Sequence, residues 1–392
     1  MKKKIAIIVD NELDHDVRVM KEINMLTAIG YVVSVLCFGF DGKEYLRHNF
    51  DVQRISISRK KKNILFFFNL SMPFYNRLWR KEVYKFLSSK DFDVVHTHDL
   101  YMSKPVSDAI KKTGKEMPLI LDLHENYPVA YSSYSWVNDG FRKYLTRPKK
   151  WFKLEEEYLK YPDALVLLSE DYKRLLKDKF EFLKKKKTLV LPNIPDLSVF
   201  SPPKKMEGSK KTTFLYFGAI GVRRGLFDVM DAFIDIQKKR EDIKLLIIGP
   251  VDKSDRDIFN TKLNQINKDM VEYLPWVPLK NLNDYMSISD VGLAPFHKNP
   301  QHESGVANKI FQYMFGKLPL LVSDCKPQQD IIEENKIGLV FHDQKTLEEN
   351  IEKFANEKNM RLEMSEKSYQ TLVEKYSLDQ YKNRLKEFYE AL

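Results

Sequence analysis

Short apolar runs alternate with helical patterns along almost the whole chain, and this alternation limits the fold more than any single motif does. Lys4–Val9 reads as a β-branched strand, 14–29 places Val19, Ile23 and Leu26 on one helical face before Gly30, and Val32–Phe38 is the next strand. A strand, a helix and a strand at the N-terminus open a doubly wound parallel sheet. Apolar runs at Val52–Ile57, Asp93–His96, Leu119–Leu123, Ala164–Leu168 and Thr188–Leu191 continue the series, which stops at 192–196 and a polar, Pro-containing, Lys-rich run to Lys211. A second series follows at Thr213–Phe217, Lys244–Ile248, Val271–Leu274, Val291–Ala294, Leu320–Ser323 and Gly338–Phe341. The expected architecture is α/β, with two Rossmann-like doubly wound parallel-sheet domains over 1–198 and 212–377, facing each other across a cleft and joined by a linker at 199–211. The last helical pattern, 378–392, either closes the second domain or crosses back to the first, and the sequence favours closure. Ligands of such sheets bind outside the carboxyl ends of the strands.

The 392 residues suffice for two large cores, and 43% hydrophobic against 31% charged residues, with 14 Gly, describes a globular chain. Cys37 and Cys325 lie in or beside apolar runs and read as buried thiols of a reducing compartment. The apolar run after Lys2–Lys4 stops at Asp10, too short for export or for spanning a membrane, and the expected location is the cytoplasm. The net charge of +10, from 65 basic and 55 acidic residues, favours anionic partners without choosing among nucleotide, nucleic acid and lipid.

Three stretches can carry chemistry. In the sequence 290–324 a polar loop and a helical pattern from about Val306 to Phe315 lie between two strands, with Gly316 suited to a left-handed helix end and Pro319 preventing continuation. Val306, Ile310, Tyr313 and Met314 would pack on the sheet, leaving Asn308, Lys309 and Gln312 together on a polar face. A helix N-terminus with a Lys one turn in suits a phosphate, and Gln312 suits a sugar hydroxyl; an ordinary solvated crossover helix is the alternative. In FGAIGVRRG (217–225), Gly218 and Gly221 let backbone approach a ligand. Arg223 and Arg224 stand where a following helix begins, as a diphosphate clamp or as a solvated pair. HisThrHisAsp (96–99) and AspLeuHisGlu (122–125) each follow a buried strand and offer acid/base or metal chemistry. No pair has zincin spacing and no Cys is near, so no metal is assigned. The first loop, 10–16, lacks the glycines of a dinucleotide fingerprint, and no P-loop or nucleophile elbow is present.

Residues 59–81 surround Leu65, Phe66, Phe67, Phe68, Phe74, Tyr75 and Trp79 with Arg59, Lys60, Lys61, Lys62, Arg77, Arg80 and Lys81. Such a segment can rest on an anionic bilayer, with Lys60, Lys61, Lys62 and Trp79 as acceptor or membrane contacts on the inner face of the plasma membrane. The alternative is that part of the aromatic cluster is core.

The segments DVRVMKEINMLTAIGYVVSVL (16–36), VVHTHD (94–99), LDLHENYP (121–128), DALVLLSE (163–170), LPNIPD (191–196), RRGL (223–226) and VANKIFQYMFGKLPLLVSD (306–324), in this order, resemble the retaining nucleotide-sugar glycosyltransferases of family 4, which have the GT-B fold. The resemblance implies transfer of a sugar from a nucleotide-sugar donor held by the second domain to a hydroxyl of an acceptor held by the first, without a cofactor or metal; UDP is expected ahead of GDP, and the membrane reading of 59–81 makes the acceptor a glycan or lipid-linked one in surface polysaccharide or glycolipid assembly. It makes His124 the strand-end histidine near the reacting sugar and Arg224 the phosphate-binding residue of its turn. Ala219 stands where many members have a second phosphate-binding Arg. Gln312 stands at the ribose-contacting acidic position, Ser304 at that of the first Glu with catalytic candidate Glu303 one residue off, and Val277 beside the base. A sugar-nucleotide epimerase, an inactive sugar-nucleotide sensor and a nucleic-acid binder are the competing readings; no nucleic-acid reading motif is present.

Overall fold

The computed structural model describes residues 2–392 apart from 15, 135, 136, 138, 139, 141, 195–210, 279 and 280. Among the described residues thirteen strands follow the two apolar series, each expected run falling on one. The first seven are β1 (Lys4–Ile8), β2 (Val32–Phe40), β3 (Asp51–Ile57), β4 (Val94–His98), β5 (Leu119–Asp122), β6 (Ala164–Leu167) and β7 (Lys187–Val190). The remaining six are β8 (Thr212–Phe217), β9 (Ile243–Ile248), β10 (Val271–Leu274), β11 (Val291–Ala294), β12 (Leu320–Ser323) and β13 (Gly338–Phe341). They form one sheet of order β3-β2-β1-β4-β5-β6-β7 and another of order β10-β9-β8-β11-β12-β13, and the pairings within both are parallel. The chain reverses its winding between β1 and β4 in the first sheet and between β8 and β11 in the second. Those two switch points are where the carboxyl ends of neighbouring strands splay and admit ligands.

Both faces of each sheet are covered, which is why the strands read as continuous apolar runs and not as alternating ones. β4, β5 and β6 are buried throughout. The first crossover helix, Val17–Ile29, is set at its start by the Asp16 carboxylate, which accepts from the Val19 N–H at 3.1 Å, and ends at Gly30 with φ 99°.

The chain divides into two compact units, Met1–Pro192 with Tyr381–Leu392, and Asn193–Gln380. The last helix, Leu378–Glu390, therefore has most of its length in the first unit. Its Tyr389 is fully buried there and its hydroxyl lies 2.7 Å from His96 Nδ1. The expected linker, 199–211, lies outside the described residues except for Lys211. Among the described residues no helix is long and apolar enough to cross a membrane.

Two local expectations are corrected. Trp79 is no surface anchor: on the helix Phe74–Ser89 it shares a face with Tyr75, Val83 and Phe86, is 0% exposed, and packs its ring 4.7 Å from that of Phe38. Gly316 does not take the left-handed position. Its φ is −70°, and Lys317 adopts φ 52° instead, so that the Leu318 N–H closes the turn on the Tyr313 carbonyl at 3.0 Å. What Gly316 supplies is space, since a Cβ there would stand 2.6 Å from Met286 Sδ and 3.1 Å from Met286 Cβ. Gly316→Ala should accordingly destabilise the protein by about 1–3 kcal/mol, the usual cost of overpacking, read as a lowered urea midpoint at unchanged m-value.

Candidate active site

In the second unit the site is built at the β8–β11 switch point. β8 runs out at Phe217 into Gly218, whose φ of 125° suits a residue without a Cβ. A short turn, Val222–Arg224, follows and ends at Gly225. A Cβ on Gly225 would fall 1.6 Å from the Pro295 carbonyl oxygen, so the glycine lets this turn lie against the chain leaving β11. That approach puts the Arg224 guanidinium 5.9 Å from the Phe296 ring centre, and the His297 N–H donates to the Arg223 carbonyl at 3.2 Å.

The helix Asn308–Phe315 enters the same place. The residue at its N-terminal cap is Ala307, which gives no side-chain cap to the first N–H groups. Lys309 does not lie on a solvated face with Asn308 and Gln312. Asn308 is exposed and Gln312 half-buried, whereas Lys309 is 8% exposed. Its Nζ sits 3.8 Å from the Tyr216 ring centre, 5.1 Å from Phe296 and 5.8 Å from Phe217, and makes no hydrogen bond. A Cβ on Gly218 would be 3.5 Å from that Nζ. Burial, reinforced by the positive charge of Arg224, pushes the Lys309 pKa well down. Aromatic faces return only part of the lost hydration, about 2 kcal/mol at desolvated sites. An anion is the partner this ammonium lacks.

The other residues singled out from the sequence are placed differently. Gly221 is extended, and its missing Cβ makes room for carboxylates: it would come within 2.6 Å of Asp252 Oδ2 and 3.0 Å of Asp255 Oδ2. Asp255 in turn accepts from the Val222 N–H at 3.0 Å, so the space that Gly221 leaves is taken up by the carboxylates that hold the turn. Ser304 is buried and donates to the Pro300 carbonyl at 2.6 Å. Glu303 accepts from the Lys326 N–H at 3.1 Å, at the start of the helix Lys326–Asn335. Arg223 is exposed and Val277 half-buried.

In the first unit a second polar cluster occupies the carboxyl ends of β4 and β5. Arg18, on the first helix, clamps Asp122 through Nε to Oδ2 at 2.9 Å and Nη2 to Oδ1 at 2.8 Å, and donates to the Leu191 carbonyl at 3.1 Å. Burial would raise the Asp122 pKa, but Arg18 first and His124 next hold it well below the ordinary carboxylate range. His124, 21% exposed, has Nε2 3.2 Å from Asp122 Oδ2 and 2.9 Å from His98 Nδ1, and Nδ1 4.0 Å from Asp99 Oδ1. Burial opposes its charge, yet Asp122 dominates and pushes it up to about 9. Glu125 next to it is pushed up to about 7 by burial and by Asp99, against the Tyr134 hydroxyl that donates to it at 3.1 Å. Asp99 itself has φ 69°, a strained setting for a non-glycine residue that aims its side chain at the strand ends. At the end of β1, Asp10 is buried, accepts from the Tyr75 hydroxyl and has Lys62 Nζ at 4.0 Å. Lys62 therefore turns inward over the Phe66 ring, while Lys60 and Lys61 are exposed.

Sequence reasoning missed Arg18 and Glu22 of the first helix and the rings of Tyr216 and Phe296. Arg18 and Glu22 are one helical turn apart, a spacing that could have marked them as one face. Tyr216 and Phe296 looked like ordinary strand and loop aromatics, with no signal to set them apart.

Comparison with known proteins agrees with this architecture. The model described as Glycosyltransferase Family 4 matches residues 17–199 and that described as Glycosyl transferases group 1 matches residues 200–371. The fold is similar to sucrose-phosphate synthase from Thermosynechococcus elongatus, with a TM-score of 0.74 at 14% identity over 100% of this chain and 99% of that one. It is also similar to an E. coli trehalose-6-phosphate protein bound with UDP-2-fluoro glucose, at TM-score 0.70 and 15% identity over 98% of each chain. Anabaena Alr3699/HepE in complex with UDP and glucose gives 0.68 and 12% over 100% of both. Two parallel α/β units of this strand order are those of the GT-B fold. The chain belongs to the GT-B glycosyltransferases, matching family 4 over its first half and group 1 over its second. Among characterised sequences it is 24% identical over 299 residues, 72% of each chain, to spore coat protein SA of Bacillus subtilis.

The Arg18–Asp122 pair gives the site its test. Arg18→Ala would leave a buried carboxylate beside His98 and His124 without its clamp and should cost on the order of 3–5 kcal/mol in chemical denaturation.

Proposed function

We propose that this glycosyltransferase moves a sugar, with retention of anomeric configuration, from a UDP-sugar to a hydroxyl of a glycan or lipid-linked acceptor. The observation that carries the reading is the buried, unpartnered Lys309 ammonium, with the positive charge of Arg224 acting on it and a helix start that has no side-chain cap. A leaving diphosphate gathers negative charge as the glycosidic bond breaks, and two cations held in a water-poor site stabilise that charge without reorganising. Lys309 and Arg224 would meet this charge at the departing phosphates, so that no metal is assigned there. UDP is favoured because two similar folds, those from E. coli and Anabaena, are described with UDP-2-fluoro glucose and with UDP and glucose. His124, held by Asp122, is the group assigned to the reacting sugar. Glu303 and Ser304, engaged with Lys326 and Pro300, are left as supports of their loop.

Calorimetric titration with UDP tests the assignment. Lys309→Ala and Arg224→Ala should each weaken binding about 10- to 100-fold, the value of a lost hydrogen bond to a charged group, while His124→Ala should lower turnover and leave UDP affinity unchanged. Burial and Arg224 both favour the neutral amine of Lys309, whereas a diphosphate favours the ammonium, so binding to the unaltered protein should take up a proton, seen as a dependence of the heat on buffer ionisation enthalpy. Unchanged affinity in both cation variants would remove the diphosphate site.

A lipid-linked acceptor has its own support. Ile64, Met72 and Phe74 are exposed large apolar residues next to exposed Lys60, Lys61, Arg77, Arg80 and Lys81. These three, in place of Trp79, are the residues that can enter a headgroup boundary, with each basic residue adding about 1 kcal/mol on an anionic surface. Co-sedimentation with anionic vesicles should weaken with salt and fall for Phe74→Ser and for Lys60→Ser with Lys61→Ser. Equal recovery in the supernatant with and without vesicles would leave a water-soluble acceptor.

A further inference from the structure

We propose that Glu22, His96 and His98, with Asp122 beside them, form a buried binding site for a divalent transition-metal ion of the zinc class in the first unit. The fold brings together residues far apart in sequence. His96 and His98 are two apart on β4 and so project from one face of the sheet, their rings stacked with centres 4.7 Å apart. Asp122 is paired with His98 in the β4–β5 register, and Glu22 comes from the first crossover helix. One ligand atom from each of the four lies within 4.8 Å of the others, and none of the four residues is more than 1% exposed.

The second observation is that three of the four residues, His96, His98 and Glu22, carry buried polar atoms that find no partner in hydrogen-bond geometry, while Asp122 is held by Arg18 and acts on Glu22 beside it. His96 Nε2, His98 Nε2 and both Glu22 carboxylate oxygens are buried and unbonded. Arg18 Nε approaches Glu22 Oε1 at 3.3 Å as an ion pair, but its hydrogen bonds go to Asp122. Leaving a buried polar atom unmade costs about 1–3 kcal/mol, and here several gather in one place. A ring nitrogen of His96 stands 4.0 Å from Glu22 Oε2, too long for a hydrogen bond but a gap that one ion about 2 Å from each atom bridges.

The opposite ring nitrogens are engaged in the way a metal-binding histidine requires. His96 Nδ1 meets the Tyr389 hydroxyl at 2.7 Å, and His98 Nδ1 lies 3.4 Å from Asp122 Oδ2 and 2.9 Å from His124 Nε2. A proton on His96 Nδ1, given to the Tyr389 hydroxyl, leaves the Nε2 lone pair of that ring free to ligate, while the His98 ring is held at its Nδ1 by His124 and Asp122. Two imidazoles and a carboxylate are a donor set for zinc and its first-row neighbours and not for magnesium or calcium, which take oxygen. Asp122, already clamped by Arg18, orients His98 in this arrangement. Tyr389 gives the C-terminal helix a part in the site. The inference does not rest on the proposed function: it concerns residues of the first unit and asks nothing of the donor.

Metal-stripped full-length protein titrated with Co²⁺ should bind about one equivalent with the visible absorption of a low-symmetry nitrogen and oxygen site, and Zn²⁺ should displace it. Glu22→Gln should abolish that spectrum. Tyr389→Phe, which removes only the hydroxyl, should weaken Zn²⁺ binding about 10- to 100-fold, the usual effect of losing an outer partner of a metal-binding histidine. Absence of stoichiometric Co²⁺ or Zn²⁺ binding to the unaltered protein would overturn the proposal, as would binding of equal affinity in the Tyr389→Phe and Glu22→Gln proteins, which would place the ion elsewhere. If Glu22→Gln lacks the circular dichroism of the folded chain, Tyr389→Phe alone decides between the two results.

Discussion

Removing a charge from water costs several kcal/mol unless another group replaces the lost hydration, and this constraint organises both units. Parallel sheets covered on both faces leave few places for polar groups, and the strand ends at the switch points are the main ones. The charges found there are met in two ways. Asp122 is met from within the protein, by the fork of Arg18 and by His98 and His124. Lys309 is met by aromatic faces alone. A fully paired charge orders a structure, whereas an unpaired one is kept at a cost to stability.

The same contrast divides labour between the two units. The first unit holds a dense network in which Arg18, Asp122, His98, His124 and Tyr389 fix one another, with Asp99 strained at its edge. Such a network holds a histidine in a defined orientation and protonation. The second unit holds small residues where chain segments pass closely, at Gly218 and Gly225, with the cations Lys309 and Arg224 beside them. Here the backbone supplies shape and the side chains supply charge. Transfer of a charged, flexible donor asks for both.

The contacts of Glu303 and Ser304, the two residues that the resemblance sets against one acidic position, also become readable. Glu303, one residue out of step, is turned to cap the helix Lys326–Asn335, and Ser304 is folded back on Pro300. Both support the loop between β11 and the helix Asn308–Phe315. The ammonium of Lys309 and the rings around it stand at the switch point itself, which is why the donor reading rests on them.

The sequence by itself determined the succession of strands along the chain, the two-series division and the strand ends where chemistry gathers, because burial on both faces forces continuous apolar runs and polar residues can follow only where those runs stop. It also marked Arg224, Lys309 and His124 as candidates. The tertiary structure decided what periodicity cannot encode. Trp79 and Lys62 turned inward because Phe38 and Asp10 stand opposite them, and Lys309 left the solvated face because Tyr216 and Phe296 close over it. Gly316 proved to be a matter of room for Met286 and not of backbone sign. Glu22 joined His96 and His98, and Tyr389 reached the same cluster from the end of the chain, through packing between elements remote in sequence. Local spacing fixes which side of its own element a residue faces; what lies on that side is settled only when the other elements are packed against it.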